Sequence, residues 1–218
     1  REPDPRGVDH DEVLLQVVAG GRADTRPDQA RFTAGVQTIA PTAGAASTQN
    51  NAVMNRVTAA LQQLGVKPDD IQTRQITLQR IEYGRQKGQF QASNMVEVRV
   101  RDLKTAGQAI AATTEAGANV LSGPDMTIAD PETASRSAYA LAYKAARARA
   151  DTYAQAADMK ISRVLAIRDA GVEPGPIPYY GRGGMAVEQA AANVAPPVQP
   201  GLTTSQVSVR VDFALKPN

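Results

Sequence analysis

Hydrophobic and polar positions alternate or cycle along this chain in segments that predict its elements. "EVLLQVVAGG" (Glu12 to Gly21) and "ARFTAGVQTIA" (Ala30 to Ala40) are rich in Val, Phe, Thr and Ile. With the turn chemistry of "ADTRPDQ" between them they predict a hairpin. From Thr42 to Leu64 the period lengthens: Val53, Val57, Ala60, Leu61 and Leu64 recur at helical spacing before Gly65, which predicts a helix and its stop. "IQTRQITLQRIEYG" and "FQASNMVEVRVRD" alternate again around "GRQKGQ" and predict a second hairpin. A helix over Leu103 to Ala116, a strand in "NVLSGPDMTIAD" bent at Gly-Pro, and a long alanine-rich helix from about Pro131 to Lys160 follow. "SRVLAIRDAG" and "SQVSVRVDFAL" (Ser205 to Leu215) supply the last strands.

From Ala30 to Asp130 the order is strand, helix, strand, strand, helix, strand, the split βαβ pattern of ferredoxin-like folds. The strands at both termini and the third helix are expected to widen that sheet. The fold class is therefore α+β, a largely antiparallel sheet with helices over one face. Residues 1–11 are expected as a flexible leader, and 12–218 as a single domain interrupted by a Pro/Gly-rich loop at 171–203.

The segment "LGVKPDDIQTRQITLQ" (Leu64 to Gln79) raises the question of chemistry, because Asp69 and Asp70 could be half of a paired-carboxylate site with Glu97, Asp102 or Asp125. The simpler reading is punctuation: Gly65 takes a left-handed helix end, Pro68 blocks continuation, and the two aspartates accept backbone N–H bonds in a turn. Composition narrows the alternatives. The chain has no Cys and a single His, His10, in the charged leader. Thiolate nucleophiles, disulfides, a histidine cluster and a Ser-His-Asp triad are thereby excluded. No catalytic residue, cofactor or metal ligand is assigned. With 24 Lys+Arg against 22 Asp+Glu the net charge is only +2, so no nucleic-acid partner is implied. No apolar run approaches the roughly 20 residues that span a bilayer.

Two surfaces stand out as candidate interfaces. On the long helix, Ala134, Ala138, Leu141, Ala145, Thr152, Ala156 and Met159 share the face expected to lie on the sheet, with Arg136, Lys144, Arg147, Asp151 and Asp158 opposite. Tyr139, Tyr143 and Tyr153, with Ala146, Ala150 and Ala157, form a third stripe, and tyrosine is favoured where surfaces meet. Arg149, beside the apolar arc, is expected to snorkel. The second surface is Gly171 to Gly201, with six prolines and six glycines, where "PYYGRGGM" places Tyr179, Tyr180, Arg182 and Met185 on one loop tip suited to a partner subunit, membrane surface or envelope polymer. "GRGGM" lacks the Lys-Ser/Thr ending of a phosphate cradle. Tyr83 and Phe90 are expected to pair across the second hairpin.

"VVAGGRADTRPDQARF", "GVKPDDIQT", "YGRQKGQFQASNMVEVRVRDL", "EAGANVLSG" and "PPVQPGLTTSQVSVRVDFAL" together resemble, in order from about Val13 to Leu215, the SIMPL domain family of bacterial envelope proteins. The family's first strand usually ends in two glycines spaced by one residue, and here Ala19 takes the first position ahead of Gly20 and Gly21. The resemblance implies a periplasmic or outer-membrane-associated, immunogenic protein with its signal peptide removed. It also implies homo-oligomeric assembly and a link to oxidative-stress defence, and supplies no catalytic residues to carry over. The expected function is thus a non-enzymatic envelope protein acting through self-assembly and interaction. The alternative is a periplasmic small-ligand binder or an unrecognised carboxylate-dependent hydrolase.

Overall fold

The computed structural model describes residues 4–173 and 195–218. Among these residues seven strands and three α-helices follow one another as β1 (Val13–Thr25), β2 (Gln29–Ala40), α1 (Ala43–Gln63), β3 (Ile71–Arg80), β4 (Phe90–Val100), α2 (Ala106–Glu115), β5 (Val120–Thr127), α3 (Pro131–Ala156), β6 (Met159–Glu173) and β7 (Thr203–Pro217). The class is the expected α+β, with antiparallel pairing throughout. The strands divide between two sheets, however: β3-β4-β2-β5 and β1-β7-β6. β1 and β2 therefore do not form the predicted hairpin, and the terminal strands do not widen the central sheet. Each sheet carries its own helices, in two compact units.

The first unit is β2 to β5 with α1 and α2, and its strand order is that of the split βαβ pattern. Thr42 caps α1, its hydroxyl accepting from Ala45 N at 3.1 Å, an interaction worth about 1 kcal/mol. At the other end Gly65, at φ 89°, donates to Gln62 O at 3.0 Å, and Val66 donates to Leu61 O at 3.1 Å. That pair of bonds closes the helix with a glycine in the left-handed position, as the sequence predicted. Met54, Val57 and Leu61 of α1 and Ala106, Ala109 and Ile110 of α2 bury against Phe32, Ala34, Val36, Val96 and Val98. Burial of one such large side chain stabilises by about 1.5–3 kcal/mol. The buried amide of Asn50 donates to Val36 O at 2.8 Å and Ala92 O at 3.0 Å, bridging two strands from the helix. Tyr83 is 88% exposed, while Phe90 packs toward Ala40, Ala46 and Ala92. The predicted aromatic pair is absent because Phe90 faces Arg80 and Ala40 across its two ladders. Residues 195–200 also belong to this unit: Val198 packs on the core, and a Cβ on Gly107 of α2 would come within 2.5 Å of Pro196 O.

The second unit holds β1, α3, β6 and β7 with residues 4–12 before β1. β1 pairs with β7 along its whole length, from Val13↔Leu215 to Thr25↔Thr203. Val17 and Ala19 meet Val211, Phe213 and Leu215 under α3. Asp130 starts α3 by accepting from Thr133 N at 3.1 Å. The face that α3 buries is Ser135, Ala138, Ala142, Ala146, Ala150 and Ala154, not the arc predicted through Leu141, which is 49% exposed. Close approach explains the difference. A Cβ on Gly21 would collide with the Ala138 carbonyl and lie 2.6 Å from Ala142 N, so the helix backbone rests directly on the strand. Only small side chains permit that spacing, and leucine must turn outward. Gly20 and Gly21 accordingly lie inside β1 rather than at a strand-ending turn.

Candidate functional site

Asp69 and Asp70 sit in a short 3-10 turn, Pro68–Asp70, that delivers the chain into β3. Asp69 is exposed. Asp70 does more than shape the turn: it is buried, and its carboxylate receives two bonds from Arg101, from Nε at 2.8 Å and from the guanidinium end at 2.9 Å. This two-point pairing, reinforced by the charges of Arg99 and Lys67, holds its pKa below the ordinary carboxylate value against the opposing effect of burial. The predicted backbone caps on Asp70 are thus replaced by a side-chain ion pair that ties the start of β3 to the end of β4. Glu97 is committed elsewhere, to Arg74 at 2.8 Å and Arg31 at 3.8 Å. Asp102 caps its own turn by accepting from Lys104 N at 3.0 Å, and Asp125 is exposed. Asp70 and Glu97 have separate arginine partners, and among the described residues no group of three His, Cys, Asp or Glu side chains is arranged to hold a metal.

The tyrosines of α3 separate. Tyr153 is 56% exposed. Tyr139 and Tyr143 are half-buried and line a cleft of about 360 Å³ between α3 and the strands β6 and β7, with Ile167, Ser208 and Val209. Glu132 and Asp169 form its acidic rim. The Tyr139 hydroxyl donates to Glu132 at 3.5 Å, and burial, with the charges of Glu132 and Asp169, raises its pKa above the usual tyrosine value. Arg149 reaches over the sheet edge and donates to Val18 O at 2.6 Å. Tyr179, Tyr180, Arg182 and Met185 lie outside the described residues.

Residues 8–12, ahead of β1, are anchored. Val8 is buried, and Glu12 accepts from Ser162 at 2.7 Å, from Arg163 at 2.9 Å and from Asp9 N at 2.9 Å. Arg163 first, then the Asp9 amide and Ser162, lower the Glu12 pKa to about 2. His10 is exposed, as expected. Beneath this segment lies a cavity of about 460 Å³ on β1, β6 and β7 that contains Asp212. Sequence reading did not single out Asp212, although a visible signal existed: in "SVRVDFAL" it falls on the alternate of the core-facing Val211 and Phe213.

Comparison with known proteins agrees with the resemblance noted in the sequence. A family model described as SIMPL, a protein of unknown function (DUF541), matches residues 15–213. Two relatives, both named 26 kDa periplasmic immunogenic protein, come from Brucella melitensis biotype 1 and Brucella abortus strain S19. Each is 30% identical over 213 residues, which cover 93% of this chain and 84% of the relative. The expected periplasmic location accords with those names. Among the described residues no helix is long and apolar enough to cross a membrane.

Proposed function

The chain belongs to the SIMPL family of proteins of unknown function, and from that premise we propose that it is a non-enzymatic component of the bacterial envelope that acts by self-assembly. One observation carries this reading: edge strands expose large apolar side chains. Ile76 and Leu78 of β3 are 70% and 49% exposed, and Ile167 of β6 is 60% exposed. Both strands lie at sheet edges. A long edge that presents apolar side chains and unpaired backbone groups is an invitation to pairing, which proteins blunt unless a partner covers it. The cleft at Tyr139 and Tyr143 adds an aromatic surface of the kind favoured at interfaces. A role at the outer membrane, or in defence against oxidative stress, would be exercised by such an assembly through interaction.

Sedimentation of the purified chain over a hundredfold concentration range tests the reading. A concentration-dependent oligomer is expected, weakened by Ile76→Lys and by Tyr143→Ala more than by Lys144→Ala, whose side chain is exposed. Truncation of an interface anchor typically costs about 2 kcal/mol or more. A chain that stays monomeric throughout rejects self-assembly. An oligomer indifferent to both Ile76→Lys and Tyr143→Ala rejects these contacts.

A further inference from the structure

The cleft between α3 and the edge strand β6 combines an apolar floor with an acidic rim. Tyr139 and Tyr143, one turn apart on α3, face Ile167 and Val209 across about 360 Å³. That volume lies within the range of small-molecule sites. Strand alternation decides which charges reach it. Ile167 and Asp169 pair with Val211 and Val209, whose side chains pack under α3, so both residues project on the helix side of the sheet. Arg168 and Arg210, the pair between them, project on the other side, where Arg168 meets Asp212 at 3.0 Å and Arg210 donates to Gln16 at 2.8 Å. The strands therefore bring a carboxylate to the cleft and carry their cations away from it.

The helix adds a second carboxylate, Glu132, which accepts from the Tyr139 hydroxyl at 3.5 Å. Among the described residues no lysine or arginine lines the cleft, and neither Glu132 nor Asp169 is in an ion pair. Two cations share this flank of α3. Arg147, one turn beyond Tyr143, lies over the Phe213 ring, 6.0 Å from its centroid, and 3.7 Å from Asp151. Arg136, one turn after Glu132, is exposed and helps to lower the pKa of Asp130. Burial, then the charges of Glu132 and Asp169, raise the pKa of Tyr139, so the negative potential of both carboxylates reaches that hydroxyl. Charge and apolar area together select the ligand. We propose that this cleft binds an aliphatic ammonium ion, its charged head at the Glu132 and Asp169 rim and its methylene chain on Tyr139, Tyr143, Ile167 and Val209. The tyrosine faces add a cation–π attraction for that head. Monoamines and polyamines share this chemistry. The inference goes beyond self-assembly, because one chain alone supplies every contact.

Calorimetric titration of the full chain with hexylamine and hexamethylenediamine tests the site, at low ionic strength because salt screens an exposed rim. Hexanol removes the charge, hexanoate reverses it and methylamine removes the chain. Saturable binding of the amines is expected, at least about tenfold tighter than any of these three, since the charged contacts and the apolar area are both needed. A diamine that binds more tightly than hexylamine identifies a polyamine site engaged at both carboxylates, and otherwise the site is one for monoamines. Glu132→Gln combined with Asp169→Asn, both at exposed positions, is expected to weaken binding at least about tenfold, with folding checked by circular dichroism. Ile167→Lys, which sets an ammonium of the chain itself beside the rim, is expected to weaken it likewise. No saturable heat with either amine at millimolar concentration overturns the proposal, as does hexanol or methylamine binding as tightly as the amines, or undiminished binding in the folded double variant. Sedimentation of the same samples reads self-assembly separately: an oligomer that binds no amine overturns the site alone, and a monomer that binds amine overturns assembly alone.

Discussion

At the residue scale the ion pair Asp70–Arg101 is the clearest departure from what the sequence displays. Gly65, Pro68 and the aspartates read correctly as a helix stop and a turn because those signals are local. Arg101 lies 31 residues beyond Asp70, and no local pattern announces that the two meet. Its geometry fixes the consequence of substitution. Arg101 is 59% exposed while Asp70 is 6% exposed, so removal of the arginine strands a buried carboxylate. Arg101→Ala is expected to cost about 2 kcal/mol and Asp70→Asn about 1 kcal/mol, the exposure of the arginine keeping both below the 3–5 kcal/mol of a fully buried pair; urea unfolding of the two variants checks the order. The Glu12 cluster makes a prediction about pH. Its folded-state pKa of about 2 lies below the unfolded value of about 4.3. Its contribution is therefore complete above the unfolded value and lost as pH falls toward about 2. The difference in melting temperature between the parent and Glu12→Gln is expected to be constant from pH 7 to about 5 and to shrink steadily below that. A difference unchanged at pH 2.5 contradicts the assignment.

At the scale of the element, α3 shows how a periodicity can be right about the helix and wrong about its face. The helix itself was legible over Pro131–Ala156, because the alanine-rich run is long and Asp130 and Pro131 mark its start. Its orientation was not, because hydrophobicity assigns Leu141 inward and undervalues alanine. Contact distance decides instead: β1 carries Gly21 where the helix backbone touches down, and only small side chains fit that interval. Two substitutions separate these accounts. Ala146, fully buried, is expected to reject leucine at a cost of about 2–3 kcal/mol through overpacking, whereas Leu141→Ala is expected to cost less than about 1 kcal/mol. Gly21→Ala is expected to be as damaging as Ala146→Leu, since its clash is with backbone that cannot rotate away. Denaturant midpoints of the three variants measure all of this, and a Leu141→Ala penalty above that of Ala146→Leu would restore the inward-facing leucine.

At the scale of the whole molecule, the βαββαβ order was readable from Ala30 to Asp130 because each strand there pairs with partners inside that stretch. β1 instead pairs with β7, the far end of the chain, and the choice between a near and a distant partner is not encoded in alternation. The turn residues before β2 therefore suggested a hairpin that does not form. Composition, in contrast, acts on the entire chain at once and bears on the proposed link to oxidative stress. Without cysteine, and with one exposed histidine, the only ready peroxide-reactive groups are the five methionines. Thioether oxidation consumes one peroxide per sulfur and stops unless a reductase restores the residue. Peroxide consumption by the purified, metal-free chain is therefore expected to plateau at or below five equivalents, the fully buried sites lagging. Met54, 6% exposed in the α1 core, is expected to oxidise more slowly than the partly exposed Met159. Mass spectrometry of the treated chain gives both the plateau and the order of sites. Continued turnover past five equivalents would require a catalytic redox centre and would replace protection through interaction with protection through chemistry.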